Sequence, residues 1–251
     1  MCIRDRHYVV QSNDTHEISN YRLATHMARA LGCRHAVLLQ DDDIYSNTLF
    51  DWVDRALAMM SQDKSIVIVG GNGGVNFVPA RCRRADNGLT SAHFEMWRAG
   101  NERRSRLGDY QEMVFSGARA TDGASPMEFV HSVNRAPQII QVEAAIALGF
   151  FPVELEPYQY DDDFNCLKAW SSGKKVLHMP IGSQKGKFGR GGMRLYNGVT
   201  VDSRPPHFCR NWNYILDTFA TILYSGELET LTQNANALTP HREQSNDKSP
   251  Q

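Results

Sequence analysis

The first third of the chain alternates short apolar runs with stretches in which apolar residues recur at helical spacing. Residues 7–14, HYVVQSND, have the composition of a strand that ends in polar turn formers. From Ser19 the pattern predicts a helix that stops before Gly32. The apolar positions of this helix are Leu23, Met27, Ala30 and Leu31. The run HAVLL at 35–39 predicts the next strand, so the three segments together are typical of one α/β unit.

A second unit of the same kind follows directly. Ser46 and Asn47 are suitable caps for a helix with one apolar face, and the run SIVIVGG at 65–71 predicts a further strand. The apolar face consists of Leu49, Val53, Ala56, Leu57 and Met60. Strands that alternate with helices predict an α/β fold with a Rossmann-type, mostly parallel sheet flanked by helices. Ligands of such sheets bind beyond the carboxyl ends of the strands.

The rest of the chain predicts one structured region with short segments outside it. The pattern is irregular from 72 to 121, and order returns at 127–140. Later helices are predicted at 143–148, 162–172 and 211–224, and a strand at 175–178. We therefore predict a single domain over residues 7–229. Residues 230–251 are polar and lack aromatic side chains, which predicts a disordered tail, and residues 1–6, MCIRDR, are expected to be a non-native start.

Composition narrows the class of protein and its partners. The formal net charge is −1, from 27 Lys and Arg against 28 Asp and Glu, so no overall charge favours a nucleic acid as partner. No apolar run approaches the ~20 residues that span a bilayer, so no transmembrane segment is predicted and only peripheral contact with a membrane stays open. The five cysteines are scattered and lack the close pairs of a zinc site. This usage fits a reducing compartment, and we expect a cytoplasmic location.

The stretch LLQDDDIYS at 38–46 places three carboxylates directly after an apolar strand. Crowded carboxylates raise one another's pKa unless a cation, hydrogen bonds or solvent relieves them. Asp41 and Asp43, two residues apart, can converge on one ion, while Asp42 points elsewhere. Oxygen ligands favour Mg²⁺ or Mn²⁺, and Mg²⁺ is typically held by one or two carboxylates together with substrate phosphates. The alternative is an acidic turn that only caps the next helix.

A second acidic cluster opens a later helix. Asp161, Asp162 and Asp163 lie in its first turn, where the helix dipole stabilises negative charge by ~0.3–1 kcal/mol. Acids are common at helix N-termini, so this motif alone has a plain structural explanation. A carboxylate kept ionised there is also suited to act as a general base toward a substrate hydroxyl.

The loop GSQKGKFGRGGMR at 182–194 combines glycines with positive charge. Its basic residues are Lys185, Lys187, Arg190 and Arg194. Such a loop can approach a diphosphate closely and neutralise the charge that develops on it as a leaving group, although a surface hairpin would have the same composition. His178 and His207 are further candidate metal ligands, but a lone histidine is more often structural.

These segments together resemble family 2 glycosyltransferases of GT-A fold. The stretch RLATHMARALGCRHAVLLQDDDI is similar to the helix and strand that lead into the DxD motif of that family, and EAAIALGFFPVELEPYQYDDDFNCLKAWSSGKKV is similar to its later acidic segment. The resemblance implies that Asp41 and Asp43 coordinate the divalent ion, Mn²⁺ or Mg²⁺, of a nucleotide-sugar donor. It further implies that Asp161 and Asp162 form the acidic catalytic pair, with Asp162 as the base in an inverting transfer to a glycan or another hydroxyl acceptor. Asp42 and the basic loop are then assigned to donor binding.

The chain departs from the family pattern in two ways. Phe164 stands where the family usually has a further acid, and the N-terminal strand and helix that recognise the nucleotide base are expected to be missing. Two other functions stay open. One is a truncated module that binds metal, glycan or a partner protein without turnover. The other is a haloacid dehalogenase-like phosphatase, although Tyr45 stands where that chemistry usually has threonine or valine.

Overall fold

The computed structural model describes most of the chain outside the N-terminus, the 78–126 region and the C-terminal tail. Backbone and side chains are described for residues 17–39, 48–75, 77, 127–134, 137–157, 160–181 and 210–238, and the backbone alone for 43–45, 135–136, 183–185 and 207–209. The strand predicted at 7–14, the proposed non-native start and residues 78–121 of the irregular stretch lie outside these residues.

Seven strands, seven α-helices and one short 3₁₀ helix (Val153–Leu155) are found in the described residues. The strands are β1 (His35–Leu38), β2 (Asp43–Tyr45), β3 (Ile66–Gly73), β4 (Glu128–Phe129), β5 (Val133–Gln141), β6 (Lys175–His178) and β7 (Ser183–Lys185). The helices are α1 (Glu17–Ala30), α2 (Leu49–Gln62), α3 (Val142–Leu148), α4 (Asp161–Ser171), α5 (His207–Thr218), α6 (Ala220–Tyr224) and α7 (Glu227–Ala237). Every helix predicted between 17 and 224 is present; the one predicted at 211–224 is divided at Phe219 into α5 and α6.

The central sheet has the order β1-β5-β3-β6-β4, and a separate two-stranded ribbon joins β2 to β7. The α/β class is confirmed. The expectation of a mostly parallel sheet is wrong for the described strands, since only β3 and β6 pair in parallel and the other pairings are antiparallel. The physical reason is β5, which follows β4 and inserts between β1 and β3 in the opposite direction.

The core lies around β3. Ile66, Val67, Ile68 and Val69 are all buried. Because successive residues of a strand point to opposite faces, both faces of the sheet are covered at this position. The predicted apolar face of α2 is confirmed, since it packs on this core. Trp52 of the same helix donates a hydrogen bond from Nε1 to the Met179 carbonyl at 2.6 Å.

Glycine at position 70 is explained by the close approach of β5. A Cβ at Gly70 would collide with the side chain of Val133, and a Cβ at Gly71 would collide with Ile181 and Pro137. At these two positions of the run VGGNGG, neighbouring side chains fill the space that a side chain on the strand would need.

The predicted apolar face of α1 is not the face that packs. Leu23, Met27 and Leu31 are 47%, 37% and 43% exposed, while Ile18 and Thr25 are buried. The helix instead docks on α3 and on the turn after it, where Arg22 pairs with Glu156 at 2.9 Å. Helical periodicity located the helix correctly but selected the wrong side of it.

The C-terminal boundary also differs from the prediction. The α7 helix continues to Ala237, so residues 230–237 are helical and not part of a disordered tail, while 239–251 lie outside the described residues. Two hydrogen bonds join the Asn236 amide to the backbone of Phe129 on edge strand β4, at 2.7 and 2.9 Å. In the part of the chain that the structure describes, no helix is long and apolar enough to cross a membrane.

Candidate functional site

Three strand ends meet at one edge of the central sheet. Because β1 and β3 both run antiparallel to β5, and β6 runs parallel to β3, the strands β1, β3 and β6 all point the same way. Their carboxyl ends therefore lie at a common edge, which we call the carboxyl edge. Strand β5 starts at this edge, so Ser132 lies there as well.

The first turn of α4 is attached to the carboxyl edge by a buried polar cluster. The Ser132 hydroxyl donates to Asp163 Oδ1 at 2.7 Å and accepts from the Val75 backbone N–H at 2.7 Å. The Gly74 N–H donates to the Ser132 carbonyl at 3.0 Å, and a Cβ at Gly74 would collide with Ser132 Oγ. The cluster thus joins the end of β3, the start of β5 and the acidic helix.

The three acids of α4 lie in different environments. Asp161 is fully buried and Asp163 is 5% exposed, whereas Asp162 is only partly buried. Burial raises the pKa of Asp163 well above its usual range, Asp162 and Asp161 add to the rise, and the bonds from Ser132 and Val75 oppose it. Of the three carboxylates, Asp162 is therefore the most accessible to a substrate.

The residue before the acids has a strained backbone. Tyr160 occupies the N-cap of α4 with φ of 66°, in the left-handed region that non-glycine residues seldom adopt. Its ring packs against Trp212 of α5 at 5.6 Å between centroids, and Trp212 stacks on Phe77 at 6.1 Å. Such strain costs of order 1–3 kcal/mol and persists only where surrounding packing enforces it. Here it turns the chain sharply into the acidic helix.

The ribbon pairs one residue from each of two predicted motifs. Asp43 of β2 and Lys185 of β7 are direct Cα partners in the antiparallel register. Asp43 is five positions beyond Leu38, and Ser183 is five positions beyond His178, so each strand of the ribbon begins within ~17 Å of the carboxyl edge. One residue of the acidic motif, Asp43, and one residue of the basic loop, Lys185, are therefore neighbours at backbone level.

Several predicted site residues lie outside the described part of the chain. They are Asp41, Asp42, Lys187, Arg190 and Arg194. Asp43, Lys185 and His207 are described by their backbone alone. His178 is fully buried at the end of β6, and burial lowers its pKa to about 4, opposed by a backbone hydrogen bond involving Gly71. A neutral imidazole in the core is the structural alternative foreseen for this histidine.

The described side chains do not form a metal site by themselves. Among the described side chains, no group of three or more His, Cys, Asp and Glu residues is arranged to hold a metal. Asp163 is buried, and its Oδ1 accepts a hydrogen bond from Ser132 inside the fold. Asp41 and Asp43 retain the donor chemistry of a Mg²⁺ or Mn²⁺ site that substrate phosphates complete.

The sequence did not identify Ser132, Gly74 or Tyr160 as part of the site. Ser132 and Gly74 come from distant segments of the chain, and serine and glycine are common in loops. The available signal was the density of glycines in VGGNGG, which indicates close approach of another backbone or side chain.

The comparisons with known proteins add no assignment. No protein-family model matches the chain, and a search of curated proteins finds no relative for it.

Proposed function

We propose that the chain is a metal-dependent glycosyltransferase that moves a sugar from a nucleotide-diphosphate donor to an acceptor hydroxyl, with inversion at the anomeric carbon. The observation that supports it best is the pairing of Asp43 with Lys185 in a ribbon tethered to the edge where α4 begins. The resemblance of both acidic segments to family 2 glycosyltransferases of GT-A fold supports the same function.

The proposed chemistry divides between two groups of residues. Asp162 removes the proton from the acceptor hydroxyl as its oxygen attacks the anomeric carbon from the side opposite the leaving diphosphate. Lys185, with Lys187, Arg190 and Arg194, holds the diphosphate and stabilises the charge that develops on it. Asp42 contributes to donor binding. A bound Mn²⁺ or Mg²⁺, held by Asp41 and Asp43, would supply further charge neutralisation.

The choice of Asp162 over its neighbours rests on access. A general base must come within hydrogen-bond reach of the proton it removes. Asp161 is buried, and Asp163 accepts a bond from Ser132 inside the fold. Asp162 combines partial exposure with a position in the first turn of a helix, where the dipole favours the ionised form.

The test is donor turnover by the full chain and by Asp162→Asn. Release of nucleoside diphosphate from UDP-glucose, UDP-N-acetylglucosamine and GDP-mannose is measured with MnCl₂, and donor binding is measured by calorimetry. We expect Asp162→Asn to lose about a hundredfold or more in turnover with donor affinity within about threefold, as removal of a general base predicts. Asp54→Asn, an exposed acid on α2, is the matched control.

The same assay separates the alternatives. Equal loss of turnover and donor binding in Asp162→Asn would overturn the assignment of the base. Hydrolysis of p-nitrophenyl phosphate without donor turnover would favour the phosphatase, in which Asp41 would be the nucleophile. Binding of donor or metal without either reaction would favour the non-catalytic module.

A further inference from the structure

We propose that Asp163 is a positioning residue that holds the Asp162 carboxylate in the orientation in which it accepts a proton. This inference rests on the function proposed above, because it gives Asp163 a role through Asp162 and not through contact with substrate.

The side chain of Asp163 is fixed to the sheet. Its Oδ1 accepts the 2.7 Å hydrogen bond from Ser132, whose hydroxyl is itself held by the Val75 N–H. Ser132 is fully buried and Asp163 nearly so, which keeps water from competing for these bonds. The third residue of α4 is therefore bound to two segments that belong to the central sheet.

The main chain of Asp163 is in turn bonded to Asp162. The Asp163 backbone N–H donates to Asp162 Oδ1 at 3.1 Å. One residue thus connects a rigid buried anchor to the carboxylate that faces the substrate. Without the bond from Ser132, the backbone of the first turn of α4 could shift, and the Asp162 carboxylate would lose its orientation.

The start of α4 lacks the usual side-chain cap. The N-cap residue, Tyr160, provides no side-chain hydrogen bond to the first turn. A helix start without such a cap depends on other contacts to order its first residues. The Ser132–Asp163 bond is a contact that reaches this turn from the sheet.

Two substitutions at position 163 test the positioning role selectively. Burial disfavours the ionised carboxyl, so the uncharged amide of asparagine is a close substitute that still accepts from Ser132. Alanine removes the anchor entirely. Asn165 offers a matched control on the same helix, because its buried Oδ1 accepts from the Phe151 N–H at 3.0 Å and its side chain has no part in the Asp163–Asp162 bond.

The experiment measures kcat and KM for donor hydrolysis with MnCl₂, together with thermal unfolding, for Asp163→Ala, Asp163→Asn and Asn165→Ala in the full chain. We expect Asp163→Ala to lower kcat about tenfold or more with KM within about twofold, and Asp163→Asn to keep kcat within about threefold of wild type. Asn165→Ala is expected to lower the melting temperature by a comparable amount to Asp163→Ala with kcat within about twofold. Equal kcat in the two alanine variants would overturn the inference.

An NMR measurement keeps the inference separate from the proposed function. The amide proton of residue 163 is expected to shift as Asp162 ionises in wild type and in Asp163→Asn, and this shift should be markedly smaller in the alanine variant. If wild type turns over none of UDP-glucose, UDP-N-acetylglucosamine and GDP-mannose, the proposed function fails. The amide shift then decides by itself whether Asp163 positions the Asp162 carboxylate. An Asp163→Ala protein that retains the full shift of wild type would refute the positioning role.

Discussion

At the carboxyl edge, close packing and burial restrict which residue each position can hold. Gly74 leaves room for the Ser132 hydroxyl, and Ser132 in turn supplies the hydrogen bond that Asp163 needs in a buried position. An acceptor buried without a donor costs about 1–3 kcal/mol, so each of these residues constrains the next.

Replacing Gly74 with alanine tests this arrangement. The added Cβ would push Ser132 away from Asp163, and we expect Gly74→Ala to lower the free energy of unfolding by about 2–3 kcal/mol through overpacking and the lost hydrogen bond. Gly173→Ala is the control, because Gly173 has φ of 69° but a Cβ there would meet no atom within 4 Å, and its cost is about 1 kcal/mol. Urea unfolding compares the two, and a smaller effect at position 74 than at 173 would contradict the prediction.

Asp63 provides a test of pH dependence away from the site. Burial raises its pKa, but hydrogen bonds from Lys175 and Ser65 outweigh this and lower it to about 2. A depressed carboxyl pKa stabilises the fold above the unfolded value near 4, and this contribution is lost as pH falls toward about 2. Because both side chains are partly exposed, we expect about 1 kcal/mol or less.

The measurement is urea unfolding of wild type and Asp63→Asn between about pH 6 and about pH 2.5. The stability difference between them should be largest above about pH 5 and should shrink as the pH falls. A difference that stays constant over this range would show that the ion pair with Lys175 does not contribute as described.

At the level of helices and strands, the sequence predicted where each element lies in the chain better than it predicted strand direction or the packed face of a helix. The strands at β1, β3 and β6 and the helices α2 and α4 lie where their apolar patterns placed them. The pattern of β5 could not reveal that it runs against its neighbours, since apolar residues look the same in either direction. The predicted apolar face of α1 was wrong for a related reason. Periodicity locates an apolar face, but the segment that buries one side of a helix comes from elsewhere in the chain.

The last helix gives an element-scale prediction. Asn236 of α7 bonds to both backbone groups of Phe129, and Leu228, Thr232 and Ala235 are buried. We expect Asn236→Ala to lower the free energy of unfolding by about 1–2 kcal/mol, because it leaves two backbone groups of β4 without these bonds. Gln233→Ala, which removes an exposed bond to Glu229, should change it by less than about 0.5 kcal/mol. Equal effects in chemical denaturation would mean that α7 does not support β4.

At the scale of the whole molecule, the candidate site is assembled from segments far apart in the chain. The sequence identified both acidic motifs and the basic loop as local patterns. It could not show that Asp43 and Lys185 would be partners, or that Ser132 would bind Asp163, because strand pairing and side-chain contacts between distant segments leave no periodic signal. The proposed function depends on these segments forming one site at the carboxyl edge.

The most direct measurement of that claim uses Mn²⁺ as a paramagnetic probe in the presence of UDP. Amide signals of the isotope-labelled protein are recorded before and after MnCl₂ is added, with Asp43→Asn as a control that weakens the site. A single shared site predicts selective broadening of Ser183–Lys185 and of the first turn of α4, with the effect reduced in the variant. Broadening of only one of these two segments, or equal broadening in Asp43→Asn, would contradict it.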